Sequence, residues 1–358
     1  MRIRFTFWLL TLSISLCFLF QSKSLIADSP QIIDSLQKEL IHANGFEKLK
    51  IYKELIKSLR NIDPAKGITV SKEAILLCDQ IGNTRMKAEI LNEEGVCYRK
   101  LNIPEKSLSL HLESLKIFED LRDSTGIAFT LANIGNVYHI YKDLDKALDY
   151  HFRSLYLKEF LKDEPQIAYS QNAIGMVLAD KEEYARAMDF YVSAMSIRKK
   201  NDQQLELANI YANIGKVMVK LNRYDDALDY LNQALAVYNI TKNEYGEALV
   251  HNQIAELYAM KGDPDKAIIY LDKAEIIGLK IKNISVLHFN YKLRKNILKG
   301  QKKFEEALIS AEKTTLYNDS LFSERRNYEM TEIQVRYETQ QLDAENEILR
   351  LNLKEEEL

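Results

Sequence analysis

The stretch "LANIGNVYHIYKDLDKALDY" (residues 131–150) belongs to a pattern that recurs along the chain every 40 residues without a gap. The related stretches are "LNEEGVCYRKLNIPEKSLSL" (91–110), "QNAIGMVLADKEEYARAMDF" (171–190), "YANIGKVMVKLNRYDDALDY" (211–230) and "HNQIAELYAMKGDPDKAIIY" (251–270). Self-similarity at one fixed period is the signature of a repeat architecture, in which each unit packs against its neighbours. The sequence therefore predicts a solenoid.

Two columns of this alignment hold small residues. The first comprises Gly95, Gly135, Gly175, Gly215 and Ala255. The second, twelve residues further on, comprises Gly67, Ser107, Ala147, Ala187, Ala227, Ala267 and Ala307. Apolar residues around both columns are spaced by three and four, so each unit is predicted to form two helices, A and then B. The small residues mark the places where paired helices approach closely, because a larger side chain would push them apart.

This pattern resembles the tetratricopeptide repeat, which has a large residue, then Leu-Gly, then Tyr, and later Ala, an aromatic residue and Ala. The residues of one unit that match are Tyr211, Ile214, Gly215, Ala227, Leu231 and Ala234. The resemblance covers residues 45–320 and implies an all-α solenoid of about seven helix pairs. It also implies that the A helices line a concave groove that binds peptides or protein segments. The 40-residue period is similar to the longer-helix variants found in scaffold and signalling proteins.

Asparagines recur on the predicted groove face of the A helices. They are Asn92, Asn133, Asn136, Asn172, Asn213 and Asn252. An amide donates and accepts hydrogen bonds, so this set can pair with a peptide main chain without reading its sequence. The alternative is that the asparagines are solvated or bond only one another. The basic clamp of some tetratricopeptide domains is absent, since Val96, Tyr169 and Ala173 stand at its positions.

Composition and motifs exclude several classes of function. The chain of 358 residues has only 12 Gly and 5 Pro, too few for a β-sandwich, a barrel or a many-looped enzyme. A net charge of −3 gives no electrostatic reason to expect nucleic acid. We found no nucleotide-binding, serine-hydrolase or metalloprotease motif. We therefore predict no catalytic residue, no metal site, no cofactor and no enzymatic activity in this chain.

His111 and His151 occupy the aromatic position of two neighbouring units. We interpret them as core histidines with satisfied nitrogens, and the alternative is a pair that senses pH near 6 or shares a metal ion. Cys78 and Cys97 are predicted to lie about 15 Å apart on antiparallel helices, which is too far for a disulfide. We interpret both cysteines as small buried apolar residues.

The two ends of the chain differ from the repeats. Residues 1–27 have the layout of a signal peptide, in which Arg2 and Arg4 precede an uncharged apolar run, and an uncleaved membrane anchor is the alternative. Residues 28–44 are predicted to be a capping helix. Residues 321–358 are predicted to be a charged helical connector. Leucines spaced by seven in this connector favour a coiled coil and a homodimer, the alternative being a solvated helix.

The connector resembles the segment that follows exported tetratricopeptide repeats in bacterial membrane sensors. The sequence thus predicts an exported, periplasmic or extracytoplasmic protein that binds a protein or peptide as the sensory input region of a signal-transduction system. As such an input region the chain would have a membrane-anchored protein or a downstream membrane helix as its partner. One alternative is the N-terminal part of a histidine kinase or diguanylate cyclase whose catalytic domain lies outside this chain. The other is a free periplasmic assembly scaffold.

Overall fold

The described part of the chain consists of helices joined by short turns. A computed structural model describes residues 30–319, and every regular element in that range is an α-helix. The helices are α1 Pro30–His42, α2 Gly45–Ile62, α3 Pro64–Ile81, α4 Thr84–Lys100, α5 Pro104–Asp120, α6 Ser124–Ile140, α7 Leu144–Phe160, α8 Glu164–Asp180, α9 Tyr184–Lys200, α10 Gln204–Lys220, α11 Tyr224–Thr241, α12 Glu244–Lys261, α13 Pro264–Lys280 and α14 Ile284–Gly300. A further helix, α15, covers residues 304–319. The predicted all-α class is confirmed.

From α2 onward the helices form seven consecutive pairs, in which the even-numbered helix is A and the odd-numbered helix is B. The two helices of a pair pack together, and each B helix packs against the next A helix. Successive A helices also contact one another. Within residues 30–319 the successive B helices lie farther apart and have fewer mutual contacts than the A helices. A stack whose helices lie closer on one side curves toward that side. The A helices therefore line the concave face of the predicted solenoid, and α1 packs on α2 at its start.

Turns of one conformation join the helices at intervals of 20 residues. Each turn contains one residue with φ between 50° and 84°. These residues are Gly82, Asn102, Arg122, Lys142, Lys162, Glu182, Asp202, Asn222, Lys242, Gly262, Lys282 and Lys302. In each turn the next N–H bonds back to a helix carbonyl, as from Ile103 to Tyr98 at 3.0 Å, which is the Schellman arrangement. Two such turns per helix pair produce the 40-residue period.

The residue after each of these positions immediately precedes the next helix. In seven turns the side chain of this residue caps that helix. Its side-chain oxygen accepts a hydrogen bond from the backbone N–H three residues further on, which satisfies a donor that has no partner within the helix. The capping residues are Asn83, Asp123, Asp143, Asp163, Asn243, Asp263 and Asn283. One short segment thus ends one helix and starts the next at a fixed angle.

The small residues of both columns lie where helices meet. A Cβ atom on Gly135 would stand 2.8 Å from the His151 ring on the paired helix, and one on Gly215 would stand 2.7 Å from Leu231. Gly95 and Gly175 are equally tight against the corresponding residues of their own pairs. The second column is fully buried at Ala147, Ala187, Ala227 and Ala267. Any side chain at Gly135 or Gly215 would have to displace its neighbour.

The two histidines lie in separate interhelical contacts, His111 against Gly95 and His151 against Gly135. Nδ1 of His111 lies 2.6 Å from Oδ1 of Asn92. Among residues 30–319 neither nitrogen of His151 has a hydrogen-bond partner, and Nε2 of His111 has none, so the prediction of satisfied core histidines is wrong for His151 and holds only for Nδ1 of His111. Burial lowers the pKa of both rings to about 3. Both rings stay neutral near pH 6, and the alternative that they sense pH there is wrong for the folded chain.

Several predictions concern residues outside the described range. The signal peptide (1–27), the charged connector (321–358) and the homodimer through that connector all fall there. The helices between residues 30 and 319 include none that is both long and apolar enough to cross a bilayer. Cys78 and Cys97 are both buried, as the sequence predicts.

Candidate functional site

A cavity of about 770 Å³ opens on the concave face between α2, α4, α6 and α8. Its lining includes Asn92 and Asn133 of the predicted groove set. Its charged lining is mostly cationic. The cations are Lys53, Lys57, Arg60, Arg85, Arg99, Lys100 and Lys158, and the carboxylates are Glu89 and Glu93. This local excess of positive charge contrasts with the net charge of −3 of the whole chain.

Both carboxylates of the cavity are engaged by cations on its rim. A carboxylate oxygen of Glu89 lies 2.5 Å from Nζ of Lys53, and the other lies 3.4 Å from Arg85. Glu93 pairs with Arg60 at 2.6 Å. These pairs join α2 to α4, because Lys53 and Arg60 lie on α2 and the glutamates on α4. They do not include the deeper cations of the cavity.

Arg99 and Lys158 are the two cations that lie deepest in the cavity wall. Nε of Arg99 is buried and has no hydrogen-bond partner among residues 30–319. Lys158 is 1% exposed and donates from Nζ to the Ser170 hydroxyl at 2.9 Å. Asp163 acts on Lys158 through its charge, whereas the charged groups that act on Arg99 are Tyr169 and Arg60. Burial lowers the pKa of Arg99, and it lowers the pKa of Lys158 to about 8.

Two aromatic rings stand beside the Lys158 ammonium group. Its Nζ lies 5.4 Å from the ring centre of Phe129 and 5.2 Å from that of Tyr169, distances at which a cation is attracted to a ring face. Both rings are partly exposed to the cavity. Asn136 donates from Nδ2 to the Tyr169 hydroxyl at 3.0 Å and so helps to orient that ring. Asn136 belongs to the predicted set, although it acts here through Tyr169.

The groove asparagines are joined in pairs across successive A helices. Oδ1 of Asn92 accepts from Nδ2 of Asn133 at 3.2 Å and from His111, whose Nδ1 must carry the proton because an amide oxygen only accepts. Oδ1 of Asn172 accepts from Nδ2 of Asn213 at 3.0 Å. Nδ2 of Asn92 and Oδ1 of Asn133 make no hydrogen bond within residues 30–319. Part of each pair therefore holds the repeats together and part stays available to a ligand.

Asn252 differs from the other five asparagines because it is only 1% exposed. Its Oδ1 accepts from Asn290 at 3.0 Å, and its Nδ2 donates to the Val286 carbonyl at 3.3 Å. The expectation that Asn252 faces a peptide is corrected accordingly. The next A helix, α14, covers the amide and satisfies it within the fold.

A second cavity, of about 440 Å³, follows the first along the groove. Asp180 is its central charge, and its carboxylate contacts His139 at 3.0 Å, Lys142 at 2.9 Å and Lys216 at 3.6 Å. The hydrogen bond from His139 contributes most to holding the pKa of Asp180 well below its usual range. Asn213 also lines this cavity. The charge of Asp180 is thus neutralised within the fold, unlike that of Lys158.

Sequence reasoning missed Arg99, Lys158 and Phe129, which form much of the first cavity. One signal for Lys158 was present in the sequence. At the 40-residue period Lys158 stands in the column of Phe118 and Tyr238, so it places a cation where two other units have a buried aromatic residue. Arg99 lies near the end of a helix with no comparable signal.

Comparison with known proteins supports the repeat assignment. Two sequence profiles of the tetratricopeptide repeat match residues 166–240 and 213–278. No curated protein matches the sequence significantly.

Solved structures share the fold at low sequence identity. A Rap protein complexed with competence and sporulation factor matches with a TM-score of 0.67 and 15% identity over 82% of this chain and 81% of its own. The Rap conjugation gene regulator of plasmid pLS20, in complex with the Phr* peptide, matches with a TM-score of 0.57 and 13% identity over 75% of each chain. A signal transduction ATPase with a tetratricopeptide repeat sensor, from Pyrococcus horikoshii, matches with a TM-score of 0.55 and 14% identity over 78% of this chain and 46% of its own. The chain therefore carries tetratricopeptide repeats, recognised in its sequence over residues 166–278 and set within an α-solenoid of the same type.

Proposed function

We propose that this chain binds a peptide or protein segment along the concave face of its solenoid. The observation that carries the proposal is the cavity between α2, α4, α6 and α8, which brings amide groups, aromatic rings and cations into one open space. Ligand sites commonly have volumes of about 300–1,000 Å³, and this cavity lies within that range. The shared fold with a Rap protein that was solved in complex with a peptide supports a peptide ligand.

The amide groups of the groove suit the main chain of an extended peptide. Nδ2 of Asn92 can donate to a peptide carbonyl, and Oδ1 of Asn133 can accept from a peptide N–H. The existing bond between these two side chains fixes their positions before a ligand arrives. A pre-organised site loses less conformational entropy on binding than a flexible one.

We further propose that binding serves signalling, with the chain exported and acting as the sensory input region of a bacterial system. The tetratricopeptide repeat sensor of the Pyrococcus horikoshii ATPase supports this reading. One alternative is the N-terminal part of a histidine kinase or diguanylate cyclase with its catalytic domain elsewhere. The other is a periplasmic scaffold. The coding sequence downstream of Leu358 distinguishes them, because a membrane helix with kinase or cyclase motifs would favour the first alternative.

Selection from a display library of random twelve-residue peptides on the full chain tests the binding proposal. Enriched peptides are then titrated by fluorescence anisotropy against the wild type, a groove variant and a control. The groove variant carries Asn133→Ala, Asn136→Ala, Asn172→Ala and Asn213→Ala. The control carries Asp149→Ala, Asp189→Ala and Asp229→Ala, all exposed on B helices.

We expect the groove variant to bind at least tenfold more weakly, because each lost hydrogen bond contributes about 0.5–1.5 kcal/mol. The control should bind like the wild type. Titrations are made below the melting temperature of each variant, since all four replaced asparagines also connect repeats. A library from which no peptide is enriched, or peptides that bind the groove variant as tightly as the wild type, would contradict the proposal.

A further inference from the structure

Lys158 occupies a position at which two other repeats place a buried aromatic ring. Phe118 packs there against Gly126, and Tyr238 packs against Gly246. Lys158 is as deeply buried as those rings but ends in an ammonium group at the cavity wall, and a glutamine stands where those two units have glycine. The lysine therefore brings a charge into a contact that those units make without one.

The surroundings of Lys158 balance its charge only in part. Its ammonium group donates to the Ser170 hydroxyl, lies beside the rings of Phe129 and Tyr169, and feels the charge of Asp163 without a hydrogen bond to it. A buried charge is unfavourable unless an opposite charge and hydrogen bonds compensate it. An anion that enters from the cavity would supply both.

Arg99, on α4, is a second cation of the cavity and, within residues 30–319, has an unsatisfied polar atom. Its guanidinium group lines the cavity, and its buried Nε has no hydrogen-bond partner in the described part of the chain. Of the three glutamates on α4, Glu89 pairs with Lys53, Glu93 pairs with Arg60, and the buried Glu94 also has an interaction partner. A planar guanidinium group with free donors favours a carboxylate, which it can bind through two parallel hydrogen bonds.

We infer that the ligand of this cavity is an acidic peptide, one of whose carboxylates is held between Arg99 and Lys158. The inference rests on the proposed function and specifies its ligand. Three features favour a peptide over a nucleic acid. The cations line one cavity of a chain whose net charge is −3, and such a chain does not attract a long polyanion. The amides of Asn92 and Asn133 match a peptide main chain, and Phe129 and Tyr169 offer apolar contact beside the cations.

Three fluorescein-labelled probes test this inference by anisotropy on the full chain. The first is a twelve-residue peptide of alternating Glu and Leu, and the second has Gln in place of Glu. The third is a single-stranded DNA of twelve nucleotides. The probes are titrated against the wild type, Arg99→Met, Lys158→Met and Lys158→Phe, the last of which restores the aromatic residue of the column. The control is Arg198→Met, which replaces a buried cation of the same column that lies outside the cavity.

We expect the Glu peptide to bind the wild type at least tenfold more tightly than the Gln peptide. Arg99→Met and both Lys158 variants should each weaken the Glu peptide at least tenfold, while Arg198→Met changes its affinity less than twofold. Circular dichroism on each variant checks that the repeats are folded. The comparison of the two peptides on the wild type does not depend on any variant.

Other results would overturn the inference in distinguishable ways. Equal affinity for the Glu and Gln peptides would reject the acidic ligand and leave peptide binding in place. Tighter binding of the DNA than of the Glu peptide would assign the cavity to nucleic acid. No binding of the Glu peptide up to millimolar concentration would also reject the inference, and the library selection would then decide whether the groove binds peptides at all.

Discussion

Replacing Lys158 by Met tests the electrostatics of the cavity without any ligand. Burial lowers the pKa of Lys158 from 10.5 to about 8, so the folded chain holds this proton less tightly than the unfolded chain does. The resulting destabilisation is fully present below pH 8 and is lost as the pH rises from 8 toward 10.5. The difference between these two pKa values corresponds to about 3 kcal/mol at neutral pH.

We therefore expect Lys158→Met to increase the free energy of unfolding by about 3 kcal/mol at pH 7, and the gap to the wild type to narrow by about 2 kcal/mol at pH 9.5. Urea unfolding followed by circular dichroism at both pH values measures this. Lys116→Met, at an exposed position of α5, is the matched control and should change stability little at either pH. Taking the difference between variant and wild type removes the titration of other groups, such as the thiol of Cys97, whose pKa burial raises to about 12. A gap that is the same at both pH values would refute the reasoning, because Lys158 would then keep its charge in the folded chain.

The other predictions concern the repeats themselves. Gly135→Leu should destabilise the chain by about 1–3 kcal/mol in thermal unfolding, because the new side chain meets His151, and the double variant with His151→Ala should lose less than the two single losses combined. Lys162→Gly should stabilise the chain by about 0.5–1 kcal/mol, because Lys162 has a φ of 57° that glycine adopts without strain. Gly82→Ala should destabilise the chain by about 1 kcal/mol for the same reason. A change of the opposite sign in either variant would contradict the idea that positive φ is strained here. Burial lowers the pKa of His111 and His151 to about 3, whereas both have a pKa of about 6.5 in the unfolded chain. The unfolded chain therefore binds protons below pH 6.5 that the folded chain does not, and the free energy of unfolding falls as the pH drops below 6.5. Urea unfolding between pH 7 and 4.5 should show this fall, and His151→Leu should make it shallower; an unchanged slope would mean that His151 is not neutral in the fold.

The helix pairing could be predicted from the sequence because packing dictates residue size. Gly135 and Ala147 tolerate no larger side chain, so their columns record where A and B helices meet. The turns could not be predicted in the same way. Of the twelve turn residues with positive φ from Gly82 to Lys302, only Gly82 and Gly262 are glycine, and Lys or Arg at such a position gives no sequence signal. Their conformation follows from helices that are already fixed by packing.

The candidate site was only partly predictable for a related reason. The pattern placed Asn92, Asn133 and Asn136 on the A helices correctly, but the burial of Asn252 depends on Asn290 of another repeat. The charge of the cavity depends on which cations lack a carboxylate, and such pairs form between helices that are distant in sequence. Sequence spacing within one helix does not determine them.

A residue of unusual type in a repeat column is therefore a starting point for finding a binding site. The groups that contact this residue show whether it serves the fold or a ligand. Lys158 and Arg198 break the same aromatic column in successive repeats. Arg198 donates to Gln203 at 2.5 Å and lies in the field of Glu206, so the fold itself accommodates its charge. Lys158 lies in the field of Asp163 and donates to the Ser170 hydroxyl, but unlike Arg198 it also lines the cavity. The two residues occupy equivalent positions on successive B helices, and only Lys158 lines the cavity. A loss of ligand affinity in Lys158→Met that Arg198→Met does not show would therefore come from the cavity, which is why Arg198→Met serves as the control for an anionic ligand.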